Sequence, residues 1–320
     1  MFAERIFDFM NSFHTLPHNE VAYLTVLAEQ VDAIVQGRKK AIKMDYFSTP
    51  HSTMFTKFGG CLRQSALDFH QVPQDFPPDG RIRSLFSTGD LFEAKVAAQL
   101  RCLGKAVFSE TYTVLDGRVT VRPDIVTILT DAERDEFAKQ YGFLPDTHLV
   151  IEIKSMRSRA FEHLQEDGLR ANKPHYYDQV QLELAGVGVG AGLIIVVNKD
   201  NDEIYEEAVA RDDDRVTDLL LDIETVLDSP DPWVFAPPFG LEPVTEFVRG
   251  KDKPNHGSIA TARHSKNGHI YGWDVETGEK RLPVACSYCP WRQTCWSKDR
   301  YTLEERWDSG HLEIIATVEF

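Results

Sequence analysis

The sequence predicts an α/β protein built on a mixed central sheet flanked by helices. Three observations carry that prediction. Leu149, Ile151 and Ile153 alternate with Val150, Glu152 and Lys154, the period of a strand. Residues 193–197, Leu-Ile-Ile-Val-Val, form an apolar, β-branched run that suits a buried central strand. Between them, residues 174–186 read as a helix closed by Gly186. Strand, helix and strand over 149–197 make a βαβ crossover.

The remaining elements follow in order. Val21, Leu24, Leu27, Val31 and Ile34 recur at helical spacing, so residues 1–45 read as helical, with Gly37-Arg-Lys-Lys as a stop. Residues 47–60 read as a loop, and a helix opens at Cys61-Leu62-Arg63. A helix is predicted over Gly89–Leu100, with Leu91, Val96 and Leu100 facing the core and Glu93 beside that face. Cys102 near its end reads as a buried structural thiol. Residues 111–130 read as a hairpin turning at Asp116-Gly117. Its return strand runs through Val126, interrupted by Pro123, where a bulge or edge would re-aim Asp124. Residues 131–147 are a polar insertion able to hold a short helix. Ile204–Val209 add an outer strand, and 212–228 an amphipathic helix on Val216, Leu219, Leu220, Ile223 and Leu227. Residues 229–256 read as Pro/Gly-rich ordered coil wrapping the surface.

Composition sets bounds. The 320 residues carry a net charge of −15, with 27% charged and 42% hydrophobic residues, which fits a soluble globular chain. Residues 201–231 hold twelve Asp/Glu against two Arg, so one acidic stretch supplies most of the imbalance. The rest of the surface is free to present a basic groove. Residues 249–281 carry seven Lys/Arg against four Asp/Glu. No apolar run approaches a membrane span, and Met1-Phe2-Ala3-Glu4-Arg5 lacks the pattern of a secretion signal. A cytoplasmic protein without a membrane partner is therefore expected. In that setting the five cysteines point to metal rather than disulfides.

Two constellations carry chemistry. The first is Asp124 with Glu152 and Lys154. Glu152 and Lys154 share one strand face, where they make either a half-solvated local ion pair or the wall of a cation site. Two carboxylates and the backbone carbonyl of Ile153 are the hard oxygen donors that Mg²⁺ or Mn²⁺ takes. Lys154 would orient a water and stabilise developing charge. The second is Cys61 with Cys286-x2-Cys289-x5-Cys295, four thiols that suit an iron–sulfur cluster or a structural zinc. Arg157 and Arg159, just after the strand, are candidate phosphate contacts.

Pro123-Asp124 and Glu152-Ile153-Lys154 resemble the signature of the PD-(D/E)XK nuclease superfamily. The resemblance implies a restriction-endonuclease-like fold and a metal-dependent deoxyribonuclease. It places Glu93 on or near the metal and makes Tyr177, Gln179 and Gln181 the helix that follows the core motif in RecB-type and lambda-exonuclease-type members. Gln179 would set the lysine or the DNA, with Tyr177 and Gln181 on substrate. Two departures stand out: Glu183 occupies the place of a tyrosine four residues after the glutamine, and 27 residues separate Asp124 from Glu152.

The four cysteines, with Pro-Trp-Arg inside their spacing, are similar to the cluster of CRISPR-associated RecB-like nucleases and of bacterial helicase–nuclease B subunits. That likeness implies a [4Fe–4S] site at Cys61, Cys286, Cys289 and Cys295, with Zn²⁺ as the alternative, in a subdomain formed by N- and C-terminal segments. The expected domains are 1–60, helical; 61–230, the nuclease core; and 231–320, the coil and cluster region. The expected activity is exonucleolytic cleavage of single-stranded or resected DNA in recombination, repair or spacer processing, with recombination or CRISPR-type protein partners. The alternatives are a non-catalytic DNA-binding or assembly subunit and a structure-specific endonuclease.

Overall fold

The computed structural model describes residues 1–43, 49–56, 60–236, 240–249, 259–265, 269–299, 301–308 and 311–318. Helices α1 (Phe2–Asn11), α2 (Pro17–Lys43), α3 (Thr53–Thr56), α4 (Leu62–Phe69) and α5 (Gly80–Cys102) come first. Strands β1 (Tyr112–Val114), β2 (Val119–Val121) and β3 (Ile125–Ile128) follow. Then come α6 (Asp131–Tyr141), β4 (His148–Met156), α7 (Ser158–Asp167), α8 (Leu169–Asn172), α9 (Pro174–Val187), β5 (Ala191–Asn198), β6 (Ile204–Ala210) and α10 (Asp213–Asp228). The chain ends with β7 (Glu242–Arg249), β8 (Ala260–His264), β9 (Ile270–Arg281), α11 (Val284–Ser287), α12 (Arg292–Lys298), β10 (Tyr301–Asp308) and β11 (His311–Val318). These fall into two compact units: residues 1–60 with 78–230, and residues 61–77 with 231–320.

The first unit holds the mixed sheet, in the order β3-β4-β5-β6. β3 and β4 are antiparallel, β4 and β5 parallel, and β5 and β6 antiparallel. The α7–α9 segment is the crossover that a parallel pair requires. Both faces of β4 are covered. Leu149, Ile151 and Ile153 pack with Val96, Ala97 and Leu100 of α5, Phe2 and Ile6 of α1, and Phe137 of α6. Val150 packs on the other side with Phe161, Leu164, Val180 and Leu184. Each such aliphatic side chain contributes about 1.5–3 kcal/mol on burial. Gly192 of β5 lets α9 lie close, since a Cβ there would sit 3.1 Å from Leu184 Cδ2 and 3.3 Å from the Val150 carbonyl.

Several expectations are corrected here. The return strand of the hairpin is not continuous. β2 pairs with β1, and past Pro123 the chain leaves that hairpin and β3 joins the main sheet. α2 runs through Gly37 instead of stopping, and Val21, expected on its packing face, is 66% exposed. α5 begins at Gly80 rather than Gly89, and Leu91 is 55% exposed instead of facing the core. Cys102 is half-buried. Of the loop read over 47–60, residues 47, 48 and 57–59 lie outside the described residues.

The second unit is an antiparallel sheet, β10-β11-β9-β7, with β8 also on β9. β7 corrects the reading of 229–256 as coil: Val244, Thr245, Phe247 and Val248 supply the β-branched and aromatic residues of a strand. Residues 250–258 lie outside the described residues. Leu282, Trp296, Ile314 and Ala316 form its core with Cys286 and Cys295. Residues 61–77 are tied to it by Trp291 Nε1 donating to the Val72 carbonyl (2.8 Å) and Thr294 N donating to Asp75 Oδ2 (2.8 Å). The Arg292 guanidinium lies 3.7 Å from the Phe76 ring centroid.

Candidate functional site

β3 stops pairing with β4 at Ile125–Ile151, so the backbone of β4 beyond that point needs another partner. Asp124 provides it. Its Oδ2 accepts from Ile153 N at 2.7 Å. In a strand, a residue's N–H and C=O leave on the same edge, so the Ile153 carbonyl leaves on the Asp124 side. Glu152 and Lys154 project from the same face of β4. Glu152 is 0% exposed because α9 covers it, which rules out a half-solvated strand. Lys154 Nζ pairs with Glu152 Oε1 and lies 5.1 Å from the Tyr176 ring centroid. Gln179 Nε2 donates to Glu152 Oε1 at 2.7 Å and to Glu183 Oε1 at 2.8 Å.

The electrostatics follow from crowding carboxyls in a dry place. Burial, then the charges of Glu152 and Glu93, push Asp124 well above the usual carboxylate range, although part of its surface still faces solvent. Glu93, half-buried on α5, is pushed up by burial and by Glu152, against the pull of Arg122. Burial also drives Glu183 well up, with Glu152 and Asp124 adding to it. Burial alone would discharge Lys154, but the carboxylates of Glu152 and Asp124 outweigh it and keep the ammonium charged. Four carboxyls thus surround one lysine. Oε2 of Glu152 and Oε2 of Glu183 are buried without a partner.

Among the described residues, no three His, Cys, Asp or Glu side chains already converge as a metal cage. Asp124 Oδ2 and Glu152 Oε1 are engaged with Ile153 N, Lys154 and Gln179. The donor set nonetheless fits a hard divalent cation. It is all oxygen, its carboxyls would release their protons to a bound cation, and the orphaned Glu152 Oε2 lacks the partner that buried polar atoms normally find.

The structure thus brings Glu93, Asp124, Glu152, Ile153, Lys154 and Gln179 together. It does not bring Tyr177 or Gln181 to them. The Tyr177 hydroxyl reaches Asp212 (3.3 Å) and its ring lies under Arg170. Gln181 is wholly buried, donating to the Ala210 carbonyl (2.9 Å) and accepting from Asp212 N (2.8 Å). Arg157 and Arg159 are exposed at the start of α7. Sequence reasoning missed Tyr176 and His175, whose rings touch at 4.1 Å between centroids, and gave Glu183 no role. Residues 176, 179 and 183 share one face of a 3.6-residue helix, whereas 177 and 181 share another; that spacing was the available signal.

In the second unit, Cys61 caps α4, accepting from Gln64 N at 3.4 Å. Cys286 lies in α11, Cys295 in α12, and Cys289 between them. The four are free thiols in electrostatic reach of one another. Burial, and then the neighbouring thiols, push Cys286 and Cys289 up to about 12. Arg63 Nη1 stands 3.6 Å from Cys295 Sγ and 2.7 Å from Asp299 Oδ2. Cys286 and Cys295 are buried, Cys61 and Cys289 half-buried, and no three of them already converge as a metal cage among the described residues. Thiols are nonetheless donors whose protons a structural metal would replace.

Among the described residues, no helix is long and apolar enough to cross a membrane. No family model matches the chain, and no curated protein does. Among solved structures it is similar to the alkaline exonuclease LHK-Exo of Laribacter hongkongensis, at 14% identity and TM-score 0.35, over 52% of this chain and 75% of that one. It is similar as well to LHK-Exo in complex with dAMP, at 13% identity and TM-score 0.38, over 56% of this chain and 86% of that one.

Proposed function

We propose that the chain is a metal-dependent deoxyribonuclease that hydrolyses phosphodiester bonds from the ends of single-stranded or resected DNA. The observation that carries this reading is the meeting of Asp124, Glu152 and Lys154 on β4, just past its pairing with β3, with an unpartnered Glu152 oxygen. Asp124, Glu152 and the Ile153 carbonyl would hold Mg²⁺ or Mn²⁺, supported by Glu93. Such an ion, when bound, draws charge from a phosphoryl oxygen and acidifies water. Lys154 orients the attacking water and offsets negative charge as it builds on the oxygens around phosphorus. Gln179 keeps Glu152 in place by its 2.7 Å hydrogen bond. Arg157 and Arg159 offer exposed positive charge to the DNA backbone.

Cys61, Cys286, Cys289 and Cys295 hold the second centre in this proposal, a [4Fe–4S] cluster or Zn²⁺. Four thiolates serve either, and the spacing resemblance favours iron. The role is structural: the cysteines join 61–77 to 286–295 within one unit.

The test uses end-labelled single strands, resected duplexes and covalently closed circles, with and without Mn²⁺. Linear substrates should shorten only with metal, circles should persist, and Asp124→Asn and Lys154→Gln should be inactive. Cleavage of circles would make the enzyme an endonuclease. Undiminished cleavage by both variants would move the chemistry elsewhere.

A further inference from the structure

We propose that Glu183 is a positioning residue which, acting through Gln179, fixes which oxygen of Glu152 is left free for a cation. The inference rests on the nuclease reading and deepens it. Gln179 Nε2 carries two N–H groups, and both are engaged: one on Glu152 Oε1 at 2.7 Å, one on Glu183 Oε1 at 2.8 Å. The carboxamide is clamped between two carboxyls. It cannot turn its own oxygen toward Glu152 without losing both bonds. Glu152 Oε1 also takes Lys154, so Oε2 is the atom that remains without a partner.

The location of Glu183 argues for a constraint from the site rather than from the fold. It is 1% exposed, on α9 between Leu182 and Leu184, which are fully buried. Among the described residues no cation makes an ion pair with it. A carboxyl in such surroundings is costly to bury unless it is paired. A leucine there would add to the packing. A buried polar group that breaks the local pattern without helping the core belongs with function. Burial keeps this carboxyl toward its neutral form, and a neutral carboxyl still accepts from Gln179.

The experiment compares wild type with Glu183→Gln, Glu183→Leu, Glu183→Met, Gln179→Ala and the double variant Glu183→Leu/Gln179→Ala. Mn²⁺ binding is read on the DNA-free full chain by electron paramagnetic resonance of the free ion. The Mn²⁺ requirement and KM for a labelled single strand are read in parallel. Leu and Met should each weaken Mn²⁺ binding by about tenfold or more and leave KM unchanged. Gln should restore wild-type binding, because its amide oxygen accepts from Gln179. The double variant should be no weaker than Gln179→Ala alone. Wild-type Mn²⁺ affinity in whichever of Leu or Met folds would overturn the proposal. So would a Gln variant as weak as Leu, which would make Glu183 matter by charge. A wild-type chain that binds Mn²⁺ yet cleaves no DNA sinks the nuclease reading while the binding comparison still decides this one. Absence of Mn²⁺ binding by wild type overturns both.

Discussion

The side chain of Asp124 takes over a rung of the sheet: its Oδ2 accepts from Ile153 N at 2.7 Å, just past the point where β3 and β4 stop pairing. Structure and proposed chemistry therefore meet in one carboxyl, and the two can be separated. Asp124→Asn keeps an oxygen for Ile153 N–H but gives up the charge. It should melt near wild type and lose cleavage by roughly two orders of magnitude or more. Asp124→Ala also orphans the N–H, which costs about 1–3 kcal/mol. Thermal melts beside end-labelled cleavage assays check both. An Asn variant that cleaves normally would leave Asp124 a purely structural role.

Among the described residues Lys154 is the ammonium that the carboxyls of the site surround, so its removal should split binding from turnover. Lys154→Gln takes positive charge away from Glu152 and Asp124, which already hold that ammonium charged. Divalent cations should then bind at least as well as before. Cleavage should fall by roughly a hundredfold to a thousandfold, the usual loss for a group that stabilises transition-state charge. Calorimetric Mn²⁺ titration with single-turnover rates tests the split. Weaker Mn²⁺ binding in this variant would place Lys154 in the role of holding the carboxylates rather than serving the reaction.

The helix after the core motif separates what the sequence could show from what it could not. That α9 exists and carries Gln179 was legible from apolar spacing and motif order. The resemblance set Gln179 on the lysine or the DNA, and the structure bonds it to Glu152 and Glu183. Which neighbours accompany Gln179 was not, because a linear motif treats 177, 179 and 181 alike while a helix turns them apart. Tyr177→Phe should accordingly leave KM for DNA unchanged. Gln181→Leu should cost about 1–3 kcal/mol in urea unfolding by stripping the Ala210 carbonyl and Asp212 N of partners, again without a KM effect. A several-fold rise in KM for Tyr177→Phe would return that side chain to the substrate. The second unit was harder to read for a different reason. β7 follows a Pro/Gly-rich stretch, and its strand character rests on a few β-branched and aromatic residues.

Glu133 gives an acid-stability prediction away from both centres. It sits at the start of α6, bonded to Thr130 N (3.0 Å), paired with Lys105, and 3.1 Å from Arg5 Nη1. Burial alone would raise its pKa, but Lys105, Thr130 and Arg5 outweigh burial and pull it from 4.5 to about 2. A folded-state pKa below the unfolded one stabilises at higher pH. The contribution is complete above about pH 4.5 and lost as pH falls through about 2. Its size is about 3 kcal/mol at neutral pH. Glu133→Gln should lower urea stability by an amount of that order at pH 7 and differ little from wild type near pH 2. Equal stability at pH 7 would show that the ion pairs only offset the burial.

The cysteine centre predicts unequal resistance within the chain. Cys286 and Cys295 belong to the core that also holds Leu282, Trp296 and Ile314, so in this proposal metal-binding energy is folding energy for that unit. Stripping the metal leaves buried thiols that must take up protons, beside an Arg63 guanidinium still 3.6 Å from Cys295 Sγ. Chelation, or Cys295→Ser, should therefore expose residues 231–320 to protease while fragments covering 80–230 stay intact. Cys102→Ser should change neither, because Cys102 lies in the other unit. Visible absorption of anaerobically purified protein, set against its zinc content, identifies the metal. Wild-type protease resistance and melting temperature in Cys295→Ser would mean that the four thiols do not hold this unit together.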